Sequence, residues 1–341
     1  MKWSRVDRVH GLFVAAAFVV LVGSAGCGAD STVSGSSRGS ASSLPLAQSR
    51  VVVPNAAFPV ALAAEPDGAF LYAERLTGEV RRVGADGTLD LLPVAVVTVV
   101  GADDDQRGLL GLVRDAEGRL VGAWTRPEDG RLVVGRLAVA GRAGPSAVPS
   151  EDLIWVGPVS ARLANGGHLA LASDGSLLIG VGDLLQDAAL TDDAIAPNRK
   201  VLALDPNGVS SQQPRVLSSG WNNPFALAVG EGGIPWVADN TGGSGPERVG
   251  RADRPAVEAS PLGGPGAGEV VPSAIVVLAA DRLALCTYLG ARVEELRILA
   301  DRVERTGRIL AAPCETGLTQ LVDGRLVTAT STAILVTTDP I

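Results

Sequence analysis

Residues 65–83 read EPDGAFLYAERLTGEVRRV: an Asp-Gly turn, a strand-like run, a polar gap and a second strand-like run. The same succession of features returns five more times along the chain, at a spacing of roughly 40 to 60 residues. Its turn residues are Asp67, Glu117, Asp174, Gly232, Asp281 and Asp323. Runs of Val, Leu and Ile bounded by Gly, Pro, Asp and Asn are typical of short strands joined by tight turns. The repeat therefore predicts an all-β fold, a six-bladed β-propeller.

The domain predicted from this repeat covers residues 50–341, with no second linker inside it. A large β-sandwich and a parallel β-helix are the competing all-β folds. A sandwich does not need six similar hairpin pairs, and the turns of a β-helix repeat on a shorter period. At the start of the domain, the segment VVVP at 51–54 is expected to add a strand to the last blade. Such a strand closes the ring and removes exposed sheet edges.

Residues 1–26 have the pattern of a bacterial lipoprotein signal. Basic residues precede an apolar run at 12–22, which is too short to span a bilayer, and small residues then lead directly into Cys27. This pattern predicts export and lipidation of Cys27, with ordinary signal cleavage as the alternative. Residues 27–49 are rich in Ser, Gly and Ala and predict a flexible tether. The expected location is the periplasmic or extracellular face of a bacterial cell, with the lipid bilayer as a partner through Cys27.

The charge of the chain argues against one class of partner. Its formal net charge is −8, and the segment after Cys27 has no block of Lys and Arg residues. Nucleic acid is therefore not an expected partner. The acidic run at 103–105 is expected to be a solvated loop rather than a metal site, because adjacent acidic side chains mostly point apart and into water.

Two cysteines remain after Cys27, namely Cys286 and Cys314. In an exported chain they meet an oxidising compartment, where a disulfide can form. Either they form one disulfide or they stay as two thiols, and the sequence leaves both open.

Several segments, in order along the domain, resemble one known family. They are FPVALAAEPDGAFLYAERLTGEVRRV at 58–83, QRGLLGL at 106–112, SARLANGGHLALASDGSLLIGVGD at 160–183, RKVLALDPNG at 199–208, GWNNPFALAV at 220–229 and WVADNTGGSGPERV at 236–249. Together they are similar to the glucose/sorbosone dehydrogenases, which include soluble PQQ-dependent aldose sugar dehydrogenases built as six-bladed propellers. The resemblance implies that PQQ lies over the central channel and that calcium binds it partly through backbone carbonyls. It also implies an aldose substrate and a histidine that takes the anomeric hydroxyl proton as hydride moves to the quinone.

The histidine of that reaction is missing from the matching position. The segment NGG at 165–167 agrees with the family's motif, but the residue before it is Ala164. Gln106 stands where the family has a polar residue near the sugar and the cofactor. Other groups offered for catalysis are Asp183, a loop carboxylate beside a Gly turn, and His168, the only histidine after residue 10. The alternative for His168 is a structural, hydrogen-bonding role on a blade strand.

The resemblance also assigns groups to the cofactor and to the metal. The cofactor contacts are Asn165, Asn222, Asn223 and Arg292, with Asn222 in place of the family's arginine. The metal ligands are the backbone carbonyls of Thr241 and Gly242 and the carboxylate of Glu247. Near the end of the chain, Cys314 and Thr316 stand where two further arginines are expected. Because PQQ carries several carboxylates, the loss of cationic partners weakens its retention.

Two functions remain open from the sequence. One is a membrane-tethered PQQ-dependent sugar dehydrogenase whose base has moved, with Asp183 as the first candidate. The other is a propeller of the same family without redox activity, which binds a sugar, a glycan or a protein partner across its channel face.

Overall fold

The computed structural model describes residues 46–102, 105–139, 152–186, 193–242, 245–263, 270–300 and 302–341. Cys27, the predicted signal and most of the predicted tether lie outside these ranges. The strands are, in chain order, β1 Ser49–Val53, β2 Pro59–Ala64, β3 Phe70–Glu74, β4 Glu79–Val83, β5 Ala95–Val96, β6 Leu109–Arg114, β7 Leu120–Thr125, β8 Arg131–Arg136, β9 Leu153–Val159, β10 Gly166–Leu171, β11 Leu177–Val181, β12 Lys200–Leu204, β13 Arg215–Ser219, β14 Ala226–Val229, β15 Pro235–Asp239, β16 Arg248–Arg251, β17 Ser260–Pro261, β18 Pro272–Ala279, β19 Arg282–Thr287, β20 Arg292–Leu299, β21 Arg302–Ala311, β22 Gly317–Gln320, β23 Leu326–Ala329 and β24 Ile334–Thr337. In the part of the chain that the structure describes, no helix has the length and hydropathy needed to cross a membrane.

The strands form six antiparallel sheets of four strands each, and each sheet is one blade. In five blades consecutive strands are neighbours: β2 to β5, β6 to β9, β10 to β13, β14 to β17 and β18 to β21. The sixth blade has the order β1-β24-β23-β22. The first strands of the blades contact one another in a closed cycle, from β2 through β6, β10, β14, β18 and β22 back to β2. This ring is the six-bladed β-propeller predicted from the repeat, and neither a sandwich nor a β-helix.

Each of the predicted turns joins the first two strands of a blade. In the first blade, Glu65 N–H donates to the carbonyl of Ala69 at 2.8 Å, and Asp67 Oδ1 accepts Ala69 N–H at 3.0 Å. Gly68 between them has φ of +85°, a conformation that other residues adopt only with strain. The same turn, with a positive-φ glycine, recurs at Gly118, Gly175, Gly233 and Gly324. Local turn chemistry therefore sets the start of every such hairpin.

The two ends of the ring carry different loops, because neighbouring strands in a blade run in opposite directions. The end with the turns described above is here named the lower face. The opposite end, named the upper face, carries the loops that lead into each first strand and the loops between second and third strands.

The ring is closed by the first strand of the chain. Strand β1 pairs antiparallel with β24, with Ser49 opposite Thr337 and Val51 opposite Leu335. Beyond the strands, Thr338 N–H donates to the carbonyl of Gln48 at 2.8 Å. The predicted addition of a strand from residues 51–54 to the last blade is confirmed.

Apolar side chains between adjacent blades form the core. Between the second and third blades, for example, Leu110, Ile154, Leu177 and Ile179 are fully buried. Strand β11, which carries Leu177 and Ile179, is buried at all five positions, because a neighbouring blade covers each face of the sheet.

A disulfide joins the fifth and sixth blades. Cys286 in β19 is bonded to Cys314, in the segment before β22, with their Cα atoms 5.6 Å apart. Of the two states that the sequence left open, the disulfide is the one present in the structure.

Candidate functional site

A cavity of about 460 Å³ opens at the upper face of the ring and is here named the channel-mouth cavity. All six blades contribute a residue from the segment that leads into the first strand: Phe58, Gln106, Leu163, Asn223, Val271 and Thr316. The wall also has two further aromatic rings, Phe225 and Tyr288, and a further amide, Asn240. A mainly apolar cavity with a few polar groups is typical of a small-molecule site.

Ala164 lies beside this wall, at the position where the resemblance places the base. Its φ is +57°, and its N–H donates to Gln106 Oε1 at 2.7 Å. Its carbonyl accepts Leu184 N–H at 3.1 Å. The fold therefore brings Gln106 and residue 164 together, although they are 58 positions apart.

Asp183 follows β11 at the upper face, and both of its carboxylate oxygens have partners. Oδ2 accepts Asn222 Nδ2 at 2.8 Å and lies 3.5 Å from Arg199 Nη1. Oδ1 accepts Leu185 N–H at 2.9 Å. The carboxylate thus links the third blade to the segment that enters the fourth.

His168 lies on β10, and its ring centroid is 6.1 Å from that of Phe225 in the cavity wall. Its Nδ1 accepts Leu227 N–H at 3.3 Å. Because a backbone N–H only donates, Nδ1 is the unprotonated nitrogen and the proton of the neutral ring is on Nε2. Burial lowers the pKa of His168 to about 4, so the ring is neutral at pH 7. This geometry agrees with the structural alternative for His168.

The Asn222-Asn223 segment is held by a buried carboxylate. Asp239 Oδ1 accepts Asn222 N–H at 3.0 Å and Asn223 N–H at 2.7 Å, and Oδ2 pairs with the guanidinium of Arg248. Asn223 Oδ1 in turn accepts Gly166 N–H at 2.8 Å. Asn223 therefore lies in the cavity wall and also joins two of the segments that carry the family resemblance.

The side chain of Asn165 forms its hydrogen bonds within its own loop. Its Oδ1 accepts Ala161 N–H and its Nδ2 donates to the carbonyl of Ala161, both at 2.8 Å. The side chain is buried, and these two bonds close the turn that leads into β10.

Arg75 is a cation in the cavity wall that sequence reasoning did not single out. Its guanidinium lies 4.1 Å from the centroid of the Phe58 ring. Its Nη1 donates to the carbonyls of Ala102 and Arg107, both at 3.1 Å, and to that of Asp105. Arg75 therefore ties the loop that carries Gln106 to the first blade.

The acidic run at 103–105 was expected to be a solvated loop, and the structure contradicts this expectation at Asp105. Its side chain is buried, with Oδ1 accepting Arg107 N–H at 2.6 Å and Oδ2 accepting Arg107 Nε at 2.8 Å. The expectation failed because these donors replace water around the carboxylate. Asp103 and Asp104 lie outside the described residues.

Arg292 begins β20, where its Nε and Nη2 pair with Glu294 Oε1 at 2.9 and 2.8 Å. Thr316 lies in the cavity wall, and its hydroxyl donates to the carbonyl of Thr330 at 3.2 Å. Cys314, two positions earlier, is used by the disulfide. Of these three residues, Thr316 is the one in the cavity wall.

The loop assigned to the metal is closed by internal hydrogen bonds. Glu247 Oε2 accepts Thr241 N–H at 3.0 Å, and the Thr241 hydroxyl donates to the carbonyl of Gly245. Asn240 Oδ1 accepts Gly242 N–H at 3.0 Å. Within the described ranges, His, Cys, Asp and Glu side chains form no group of three or more that could hold a metal ion.

The family model for glucose / sorbosone dehydrogenase matches residues 56–245, which is more than half of the chain. The chain belongs to the glucose/sorbosone dehydrogenase family. The matched range contains Gln106, the NGG segment at 165–167 and Asn223. No curated protein sequence matches the chain.

Solved structures share the fold of this family member at low sequence identity. A putative oxidoreductase (glucose dehydrogenase) from Thermus thermophilus has 22% identity and a TM-score of 0.68, over 85% of this chain and 99% of its own. A PQQ-bound aldose sugar dehydrogenase from Streptomyces coelicolor has 19% identity and a TM-score of 0.65, over 86% and 99%. The apo soluble aldose sugar dehydrogenase from Escherichia coli has 20% identity and a TM-score of 0.66, over 85% and 98%. These likenesses support the propeller fold.

Sequence reasoning placed Gln106 and Asn223 at the site, and both line the cavity. It missed the aromatic part of the wall. Phe58 and Phe225 lie inside the segments that carry the resemblance, so their position in these segments could have marked them as wall residues. Tyr288 lies in the fifth blade, outside the matched range, and no motif marks it.

Proposed function

We propose that this chain is an exported, lipid-anchored propeller that binds a saccharide in the channel-mouth cavity and does not oxidise it. The observation that carries the proposal is the composition of the cavity wall, which contains three aromatic rings and three side-chain amides. Aromatic faces pack against the C–H faces of sugars, and amides hydrogen-bond to their oxygens. Membership of a sugar dehydrogenase family supports an aldose or a glycan derived from it as the ligand.

The lack of oxidation in the proposal is supported by the side chains that could take a proton from the sugar. An alcohol gives up hydride readily only when a base takes its proton in the transition state. Ala164 has no such group, and the amide of Gln106 is not a base. Both oxygens of Asp183 accept hydrogen bonds, and the unprotonated nitrogen of His168 accepts one from Leu227 N–H.

The charges near the cavity do not fit a cofactor that carries several carboxylates. In the wall, as far as the structure describes it, the cationic residue is Arg75, which donates to three backbone carbonyls. Arg107 and Arg199 each pair with a carboxylate, Asp105 and Asp183. Because buried carboxylates need cationic partners, this wall favours a ligand without net charge over PQQ.

Calcium fits the loop at 241–247 no better. Calcium takes about six to eight oxygen ligands. In the described part of this loop, the one carboxylate, that of Glu247, accepts Thr241 N–H, and the carbonyl of Gly245 accepts the Thr241 hydroxyl, so both oxygens are already engaged within the loop. A calcium-dependent cofactor site is therefore not part of the proposal.

Membership of the family favours a second function, PQQ-dependent oxidation of an aldose by a base other than residue 164. Two measurements separate the functions. Aldoses are titrated into the purified protein by calorimetry, and PQQ with calcium is added while the quinone absorbance and the reduction of an electron-accepting dye are followed. We expect saccharide binding, no shift of the quinone spectrum and no aldose-dependent dye reduction.

The variant Ala164→His is the matched comparison for this test. If PQQ binds and only the base is missing, the variant gains about 10²- to 10⁴-fold in rate. A gain of this size would show that the cavity can hold PQQ and that the unmodified chain lacks only the base. Aldose oxidation by the unmodified chain at a rate that Ala164→His does not raise would contradict the proposal and support the dehydrogenase.

The location of the protein is a separate part of the proposal. The apolar run that ends in SAGC supports lipidation at Cys27. Replacing Cys27 by Ser is expected to move the protein from the membrane fraction to the soluble fraction. Unchanged partitioning would mean that the chain is held at the membrane in another way.

A further inference from the structure

Non-glycine residues with a positive φ are confined to the upper face of the ring. Among the described residues there are seven, and each lies in a loop that leads into a first strand or connects a second strand to a third. They are Phe58, Ala164, Leu184, Leu185, Arg199, Val271 and Ala291. At the lower face, the described residues with a positive φ are glycines. Backbone strain of this kind collects at functional sites, so the upper face is where a function for it is expected.

Two of the seven, Phe58 and Val271, line the channel-mouth cavity, with φ of +58° and +47°. A Cβ is crowded in this left-handed conformation, and a β-branched residue such as Val271 is rarely found there. In both cases the next residue is a proline, Pro59 or Pro272, whose ring restricts the preceding residue towards extended conformations. The backbone at these two positions is therefore strained.

The link that these positions make within a blade needs only their backbone. The carbonyl of Phe58 accepts Arg75 N–H at 3.0 Å, and that of Val271 accepts Tyr288 N–H at 2.9 Å. The second blade makes the same link with a glycine, because the carbonyl of Gly108, with φ of +132°, accepts the N–H of the last residue of β7 at 2.9 Å. A glycine therefore satisfies this link without strain.

Packing between the blades does not explain the two side chains either. The apolar core between the sixth and first blades includes Ala56, and that between the fourth and fifth blades includes Val270. As far as the structure describes these cores, neither includes Phe58 or Val271. Phe58 contacts the guanidinium of Arg75, which itself lies in the cavity wall. What the two side chains add is therefore apolar surface in the wall of the cavity.

We infer that Phe58 and Val271 are specificity-determining residues of the cavity, kept in a strained backbone conformation so that their side chains contact the ligand. A phenyl ring and a branched aliphatic group offer no hydrogen bond to hydroxyls, so they recognise the C–H surface of a saccharide. A residue better suited to a left-handed backbone, glycine or asparagine, would remove this contact. Binding and stability therefore make opposite demands at these positions. The inference rests on the proposed saccharide binding and names residues that contact the apolar face of the ligand.

A substitution that relieves the strain should weaken binding without lowering stability. Asparagine adopts the left-handed conformation more readily than valine or phenylalanine, and its side chain is polar. Val271→Asn is expected to bind a saccharide about 10-fold more weakly, because an apolar contact is lost. It should melt at the temperature of the unmodified chain or up to about 3 °C higher. Phe58→Asn is expected to weaken binding at least as much, because a larger apolar group is removed.

The matched control is Val277→Asn, in strand β18 of the same blade. Val277 is also partly buried, but it packs on the core between the fourth and fifth blades and lies opposite Leu283 near the lower face. Its φ is not positive. The control is expected to bind the saccharide as the unmodified chain does. It should melt at a lower temperature, because a polar group replaces part of the apolar packing.

Binding is measured by calorimetry with D-glucose, D-galactose and D-mannose on the purified full chain in detergent, and stability by thermal unfolding without sugar. If the unmodified chain binds one of these sugars and both Val271→Asn and Phe58→Asn bind it equally well, the inference is overturned and the proposed saccharide binding stands. A melting temperature of Val271→Asn that falls as far as that of Val277→Asn would also overturn it, because the position would then carry no strain. Binding of none of the three sugars by the unmodified chain would contradict the proposed function and, with it, this inference.

Discussion

Gly166 and Gly167, directly after Ala164 and Asn165, have φ of +67° and +94°, where residues with a Cβ are strained. At Gly182 the constraint is space, because a Cβ there would lie 1.9 Å from the carbonyl oxygen of Ala164. These glycines are therefore needed by the third blade whatever side chain residue 164 carries. This explains why the NGG and VGD segments remain around a position without a base.

The imidazole of His168 makes the stability of the fold depend on pH. Burial lowers its pKa from 6.5 to about 4, so between these values the unfolded chain binds more protons than the folded one. The free energy of unfolding should therefore fall as the pH drops from about 6.5 towards 4. We expect a lower urea midpoint at pH 5 than at pH 7.

The variant His168→Asn isolates this contribution, because an amide oxygen can accept Leu227 N–H in place of Nδ1. Its urea midpoint should decline less between pH 7 and pH 5 than that of the unmodified chain. An equal decline in both proteins would assign the pH dependence to other groups.

At the scale of elements, the disulfide fixes two parts of the cavity wall. Tyr288 follows Cys286 by two positions, and Thr316 follows Cys314 by two positions. The bond thus couples the end of β19 to the start of β22 at the place where the fifth and sixth blades meet the cavity.

Removing this disulfide should lower stability and saccharide affinity together. The bond spans 28 positions, and closing a loop of this length is worth about 3 to 4 kcal/mol in the unfolded chain. We expect the double variant Cys286→Ala, Cys314→Ala to lose about this much in urea unfolding, and reductant to have the same effect on the unmodified chain. A variant that is as stable as the unmodified chain would show that packing between the blades replaces the bond.

The positions of the strands could be predicted from the sequence where contacts between neighbouring residues form the turns. Asp67 and Gly68 form a turn through their own neighbours, so the hairpin can be recognised from the sequence alone. The contacts of Asp105 with Arg107 are local too, but its backbone carbonyl also accepts the guanidinium of Arg75 from the first blade, a contact that local sequence does not indicate. Phe58 and Tyr288 line the same cavity from the first and fifth blades, and no spacing within the sequence indicates that they share a site.

At the scale of the whole molecule, stability depends on closing the ring through β1. Without this strand, β24 has a free edge in the last blade, and the buried side chain of Val53 is lost from the core. A chain that begins at Pro54 should therefore unfold at lower temperature and associate through the free edge. A chain that begins at Leu46 is the matched control, because it keeps β1.

Thermal unfolding and light scattering measure the two effects. The shorter chain is expected to melt earlier and to scatter more than the control. Equal melting temperatures and equal scattering of the two chains would show that the sixth blade is stable with three strands.

The pairing of β1 with β24 also has a consequence for biogenesis. It brings together Gln48 and Thr338, which are 290 positions apart. The proposed export, if it begins from the signal at the amino-terminal end, would deliver β1 to the far side of the membrane while β24 is still in the cytoplasm. The sixth blade can then form only after the last residues have crossed, so folding is completed after translocation and the edge of β1 stays unpaired throughout the passage.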